Sequence, residues 1–193
     1  MPSPDGRAAF RHIGDRLQFQ GWRIQVVEST FTAPDGTTFT RDIVRHPGAV
    51  AVVPVTDDGH VLLVRQFRGA IDGPLLEIPA GTRDVPGESP EDTARRELTE
   101  EVGVRARHLR HLTTMYNSPG FCDERTDLFL ATDLQPADHD REGVEEQHME
   151  VVPVALADID AMIADGRLLD GQTMLGLLLA RDALTDRAGT GPR

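Results

Sequence analysis

Apolar and polar positions alternate through Leu17-Gln-Phe-Gln-Gly-Trp-Arg-Ile-Gln-Val-Val27 and again through Thr38-Phe-Thr-Arg-Asp-Ile-Val44. That period of two predicts two strands, joined by the turn Ala33-Pro-Asp-Gly36. A two-stranded ribbon is marginal alone, so it must pack on the rest of the chain or on another subunit. The residues before it, up to about 16, are rich in Pro, Gly and charge and read as loose. From Gly48 the texture changes. Residues 49–56 are almost wholly apolar, Asp57-Asp-Gly59 is a turn, and His60-Val-Leu-Leu-Val-Arg-Gln-Phe67 carries a second apolar run, which predicts a hairpin. Pro54 would cost a ladder bond at a central position, so a bulge or an unpaired side is expected there. Residues 75–78, 107–114, 127–131 and 150–154 are further strand candidates.

The period lengthens at Ala94, Leu98 and Val102, which recur every four residues as the buried stripe of a helix. Ser89 is its candidate N-cap, Pro90 stands at N1, and Asp92 at N3 makes a short-chain capping box. Gly103 supplies the left-handed C′ position that ends it. Residues 157–165 form a second helix that stops at Gly166, and residues 172–184, with Met174, Leu175, Leu178 and Leu179, form a third whose apolar residues are core packing. Strands, one helix, more strands and two final helices do not make a regular βαβ array. The pattern supports an α/β (α+β) fold, a mixed sheet with helices on its faces. There is no internal repeat and no Gly-x-Gly-x-x-Gly fingerprint.

Composition narrows the functional classes. A chain of 193 residues, 39% of them apolar, supports one substantial core with a small additional element. No stretch of 18 apolar residues occurs, and Met-Pro-Ser-Pro-Asp-Gly carries no basic region followed by an apolar run; neither a membrane span nor a secretory signal is expected. Cys122 is the single cysteine and cannot form an intrachain disulfide, which makes the cytoplasm the expected compartment. A formal charge of −12 argues against a nucleic-acid binder. It leaves room for a small phosphorylated ligand held through a cation and a few local arginines.

The candidate chemistry lies on the first helix. Glu97, Glu100 and Glu101 share one side of it, and each like-charge pair at i,i+3 or i,i+4 costs about 0.2–0.5 kcal/mol. A cationic partner is therefore expected. Arg96 can reach Glu100, yet the cluster stays acidic, and clustered carboxylates are natural ligands of Mg2+ or Mn2+. The plain alternative is a solvated acidic helix face. A second acidic segment, Glu142-Gly-Val-Glu-Glu-Gln-His-Met-Glu150, reads on its own as an exposed charged loop before a strand.

Gly81, Glu88, Arg96, Glu97, Leu98, Glu100, Glu101, Gly103 and Val104 stand in the order of the Nudix box, and the chain resembles the Nudix hydrolase family. Six residues, not the family's five, separate Gly81 from Glu88. The extra residue lies in the loop before Ser89 and leaves the helical glutamates in register. Glu88 retains three readings: a tie between loop and helix, a metal ligand, or a solvated acid. The resemblance implies an α/β/α sandwich with a mixed sheet and an N-terminal antiparallel β extension. The hydrolase domain would span 48–193, and the extension 1–47 would help build a homodimer.

The resemblance also implies roles. Glu97, Glu100 and Glu101 would be catalytic metal ligands together with the Ala80 carbonyl, and Arg96 would hold the glutamates by ion pairing. Glu145 or Glu146, with Glu146 preferred, would be the loop glutamate that takes a proton from water. Ser118-Pro119-Gly120, fifteen residues past the box at Pro119, resembles the ADP-ribose pyrophosphatase branch. Arg68 matches an arginine that contacts the diphosphate or distal ribose, with Arg41 and Arg45 as supplements. Trp22 or Phe19 could stack on adenine, or either could be packing. The expected reaction is Mg2+-dependent cleavage of ADP-ribose to AMP and ribose 5-phosphate. The alternatives are a diphosphatase for another nucleoside diphosphate sugar or dinucleotide, and a non-catalytic nucleotide sensor.

Overall fold

The computed structural model describes residues 9–138 and 147–189. The chain divides into two compact units, one comprising the residues up to Gly48 with Tyr116–Arg125, the other Ala49–Met115 with the residues from Thr126 onward.

The first unit holds a sheet of three strands, where the periodicity predicts two. Strands β1 (Arg11–Gln20), β2 (Gln25–Thr32) and β3 (Thr38–Arg45) are antiparallel in the order β1-β2-β3. The predicted strand 17–27 is broken at Gly21, whose N–H donates to the Ile24 carbonyl at 2.9 Å and reverses the chain. Residues 11–16, expected to be loose, are six of the ten residues of β1; their missing alternation reflects an edge strand exposed along nearly its whole length. The turn at Ala33–Gly36 forms as expected, with Gly36 at φ 88° and its N–H donating to the Ala33 carbonyl at 3.0 Å.

The second unit is a mixed α/β sandwich. Strand β4 (Ala49–Pro54) is buried on both faces, which is why it reads as a continuous apolar run. It pairs antiparallel with β7 (Ala80–Thr82) and parallel with β9 (Arg125–Pro136), which neighbours β8 (Val104–Tyr116). A second sheet has the order β10-β5-β6, from Glu150–Ala155, His60–Arg68 and Gly73–Glu77. The predicted β4–β5 hairpin is therefore not a two-stranded ladder. Its turn forms, with Gly59 at φ 83°, but only the bridge Val55–Val61 joins the two strands before they separate into different sheets. Pro54 ends β4 rather than bulging within it, opposite Ala131 of β9.

Alternation along β4 divides the core. Val50 and Val52 pack with Ala94, Leu98 and Phe129 beneath helix α1 (Pro90–Glu97). Ala51 and Val53 pack on the opposite face with Ile78, Leu128, Ile159, Met162 and Leu177, beneath α2 (Ile159–Ala164) and α3 (Gly171–Gly189). Burying a side chain the size of Leu98 contributes about 1.5–3 kcal/mol, so α1 is pinned to the sheet by its stripe. Among the described residues, no helix is long and apolar enough to cross a membrane.

Candidate active site

Helix α1 starts as the sequence predicts. Ser89 Oγ accepts from the Asp92 N–H at 3.1 Å, while the Asp92 carboxylate accepts from the Ser89 hydroxyl at 2.7 Å. The end differs from a uniform α-helix. Leu98–Val102 forms a π-helical turn capped by Gly103 at φ 70°, whose N–H donates to the carbonyls of Leu98 and Thr99. Such turns often occur at functional sites. The wider turn carries Val102 off the Ala94–Leu98 stripe to pack with Val64 and Met149.

Two of the three glutamates are buried at this α–π junction, Glu97 at 6% exposure and Glu101 at 4%. Each is held by a different device. A Cβ on Gly81 would overlap the Glu97 carboxylate, so that carboxylate lies in a cradle only glycine leaves open. The Ala80 N–H donates to Glu101 Oε2 at 3.0 Å. Both cradle residues sit on β7, whose register sets Gly81 opposite Val50 and Ala80 opposite Ala51.

Arg96 supplies the expected cation. Its Nη1 lies 2.8 Å from Glu97 Oε1 and 2.8 Å from Glu100 Oε2, and its Nε lies 3.2 Å from Glu88 Oε1. Partial burial disfavours the Arg96 charge, but the Glu88 hydrogen bond and the surrounding carboxylates more than reverse this, so its pKa is raised. Glu88 also accepts from the Thr93 hydroxyl at 2.8 Å. Of its three readings, the structure shows the tie between loop and helix, and the Arg96 hydrogen bond holds its carboxyl below the usual range. The extra residue before Ser89 is absorbed in a turn where Gly87 takes φ 83° and the Glu88 N–H reaches the Val85 carbonyl. Among the described residues, no three His, Cys, Asp or Glu side chains converge into a metal-sized cage.

Arg68 of the same unit donates through Nε to Glu77 Oε2 at 2.9 Å. Glu77 is 3% exposed; burial pushes its carboxyl pKa up and the Arg68 charge opposes that. Sequence reasoning did not single out Glu77 as a site residue. The available signal was an acid inside the apolar run Leu75-Leu-Glu-Ile78.

In the first unit, Arg41, Arg45 and Pro119 line one groove of about 470 Å³. Phe31 and Phe39, directly paired across β2 and β3, stack in it at 5.5 Å between centroids, Phe10 meets Phe39 edge-on, and the Arg41 guanidinium sits 4.8 Å from the Phe39 centroid. Arg45 is bound to Asp15 at 2.8 Å and Asp123 at 3.0 Å, so it braces this unit. Ser118-Pro119-Gly120 is a turn closed by the Phe121 and Cys122 N–H groups on the Ser118 carbonyl.

Residues 45–172 match the family model of the NUDIX domain. The chain belongs to the Nudix family. An ADP-ribose pyrophosphatase of Bacillus subtilis is 41% identical over 155 residues, covering 80% of this chain and 83% of the relative. A GDP-mannose pyrophosphatase of Yersinia enterocolitica is 39% identical over 146 residues, covering 71% and 74%. A crystal structure titled ADP compounds hydrolase has the same fold at TM-score 0.81 and 23% identity, covering 93% of this chain and 96% of that one.

Within this Nudix chain, the remaining candidates divide. Glu145 and Glu146 lie outside the described residues. Trp22, expected as one possible adenine partner, is 92% exposed in the turn between β1 and β2, with Arg23 4.8 Å from its ring centroid; it does not line the aromatic groove. Phe19 is likewise exposed and outside the groove. Core packing is thereby ruled out for both. Of the groove aromatics, Phe39 was read as a strand residue and Phe31, beyond the predicted strand 17–27, was not singled out, because their pairing emerges from the β2–β3 register.

Proposed function

We propose that this chain is a Mg2+-dependent ADP-ribose diphosphatase giving AMP and ribose 5-phosphate. The observation that carries the reading is the pair of buried carboxylates, Glu97 in the Gly81 cradle and Glu101 on the Ala80 amide. Arg96 and the Ala80 amide compensate these buried acids in part, and an all-oxygen donor set matches a hard divalent cation. Glu97, Glu100, Glu101 and the Ala80 carbonyl would hold Mg2+, or Mn2+ in its place. When bound, the cation supplies neutralisation of the diphosphate, a more acidic water and counter-charge for the leaving phosphate.

The protein's own part is positioning and proton transfer. Arg96 screens Glu97 and Glu100 from one another, and the Ala80 amide fixes Glu101. Arg68 offers paired donors to diphosphate oxygens. Glu146, or Glu145 in its place, takes the proton of the attacking water. The water oxygen bonds to phosphorus as the bridging P–O bond breaks, leaving a phosphate on each product. The stacked Phe31–Phe39 pair with Arg41 suits a planar purine.

The similarity to an ADP-ribose pyrophosphatase supports this substrate, and the similarity to a GDP-mannose pyrophosphatase supports a second reading, another nucleoside diphosphate sugar. The retained glutamates Glu97, Glu100 and Glu101 weigh against a silent sensor. We also assign residues 1–47 to a homodimer contact, because Ile13, Leu17 and Phe19 leave apolar surface exposed along β1. Light scattering should then give about twice 21.2 kDa. A cytoplasmic location accords with the lone cysteine.

Product analysis with ADP-ribose, ADP-glucose, GDP-mannose and NADH tests the assignment. Hydrolysis of ADP-ribose should vanish with EDTA and return with Mg2+. Turnover of a rival more efficiently by about a hundredfold would replace the substrate; nucleotide binding without turnover would restore the sensor.

A further inference from the structure

The backbone that carries the proposed site is the short stretch Ile78-Pro79-Ala80-Gly81, between β6 and β7. Three of its polar groups are fixed from three directions. The Pro79 carbonyl accepts from the Val52 N–H at 2.9 Å, and the Ala80 N–H is spent on Glu101. The third is the Ile78 N–H, which donates to Thr173 Oγ1 at 3.0 Å. Thr173 belongs to α3, 95 residues later in the chain, and is fully buried.

A threonine hydroxyl offers one donor and two acceptor positions, so its partners decide which role it plays. Here Thr173 Oγ1 donates to Asp170 Oδ2 at 2.6 Å, and the same carboxylate oxygen accepts the Thr173 N–H at 2.8 Å. Asp170 thus caps the start of α3 and consumes the hydroxyl proton. The lone pairs of Thr173 are left facing the Ile78 N–H. One turn further on, a Cβ at Gly176 would come within 3.0 Å of Ile78 Cδ1 and 3.1 Å of Val53 Cγ2. The bare face of α3 at Gly176 therefore lets the helix approach closely enough for the Thr173 bond.

We propose that Asp170 and Thr173 are positioning residues that clamp Ile78 and thereby set the Ala80–Gly81 backbone against Glu101 and Glu97. The inference rests on the diphosphatase reading, since it gives that backbone its role. Thr173→Val keeps the side-chain shape and removes the acceptor, leaving a buried N–H without its bond. Supporting groups of this kind change metal affinity by about 10–100-fold.

Mn2+ titration of the purified full chain, followed by electron paramagnetic resonance without substrate, tests the clamp. Thr173→Val should weaken Mn2+ binding by about tenfold or more, and amide exchange across residues 76–82 should accelerate in metal-free protein. Thr173→Ser, which restores the acceptor, should recover both. Leu177→Ala, a cavity in the same helix, should lower the melting temperature while keeping Mn2+ affinity. If Thr173→Val does not fold, Thr173→Ala carries the same expectation, because alanine also lacks the acceptor for the Ile78 N–H. Wild-type Mn2+ affinity and exchange in the clamp variant overturn the proposal, as does an equal loss of affinity in Leu177→Ala. Wild-type protein that neither binds Mn2+ nor cleaves a nucleoside diphosphate sugar refutes the diphosphatase reading instead, and that result is read before any variant.

Discussion

An alanine at Gly81 adds a single methyl group at the point where the Glu97 carboxylate touches the β7 backbone. Gly81 is not one of the positive-φ glycines, so alanine meets no backbone penalty and the whole effect is steric. The methyl and the carboxylate cannot share the space. Either β7 shifts, at the cost of overpacking a closed core, about 1–3 kcal/mol, or Glu97 swings away. β7 is pinned by its ladder to β4 and by the Ala80–Glu101 bond, whereas Glu97 is a side chain with several rotatable bonds. Glu97 should therefore yield first. A displacement of the order of 1 Å in a positioned group can cost about 10²-fold in rate. Gly81→Ala should then lose about 10²-fold in kcat/KM for ADP-ribose, with a loss of melting temperature smaller than that of Leu98→Ala, which costs about 2–5 kcal/mol. Steady-state kinetics across a Mg2+ series and a thermal melt measure both. Near-normal turnover with a normal melt would refute the cradle. A large stability loss with normal turnover per folded molecule would mean that the strand, not Glu97, gave way.

Glu97→Gln and Glu101→Gln should reduce both metal affinity and turnover, whereas Glu146→Gln should spare metal binding and lower turnover by about 10²–10⁴-fold; Glu145→Gln should be mild, and a crippled Glu145→Gln beside a normal Glu146→Gln would exchange the two roles. Arg96→Lys keeps the charge but loses the fork that spans Glu88, Glu97 and Glu100, so turnover should fall by about tenfold or more; wild-type kinetics would sink the bridging argument. The Asp15 carboxyl is lowered from 3.8 to about 2, first by the Ser29 hydrogen bond and then by His12 and Arg45. Its folded pKa lies below its unfolded value, so its contribution is full above about pH 4 and fades between 4 and 2. The stability gap between wild type and Asp15→Asn should therefore close over that window in denaturant melts, and a gap that does not change with pH would contradict it.

What could be read from the sequence was what is encoded locally. Ser89, Pro90, Asp92 and Gly103 mark the helix because capping is decided by neighbours three or four residues away. Arg96 was expected to meet Glu100 on the same grounds, and does. Strand partnership is decided elsewhere. β4 and β5 are adjacent in sequence and share a good turn, yet β4 finds its partners in β7 and β9. No local period reports that choice. β1 was missed over residues 11–16 because a strand exposed on both faces has no reason to alternate. Glu77 and Thr173 were overlooked for a related reason: a single polar residue in an apolar element carries no period, and its purpose appears only when a distant partner is in place.

The same division explains why the box alone does not build the site. Three glutamates on one turn repel one another, and nothing within the helix orders two of them inward. The inward direction comes from outside: the missing side chain at Gly81 leaves room for Glu97, and the backbone amide of Ala80 draws Glu101. Those two residues lie on a strand only three residues long, too short to hold its own position by pairing alone. Its placement is inherited from the ladder to β4 on one side and from the Ile78–Thr173 bond on the other. The helix therefore contributes the charges, while the precision of their arrangement belongs to β7 and to what anchors it. A perturbation of that anchorage should alter the chemistry before it unfolds the chain, because it moves two carboxylates without touching the α1 stripe buried beneath them.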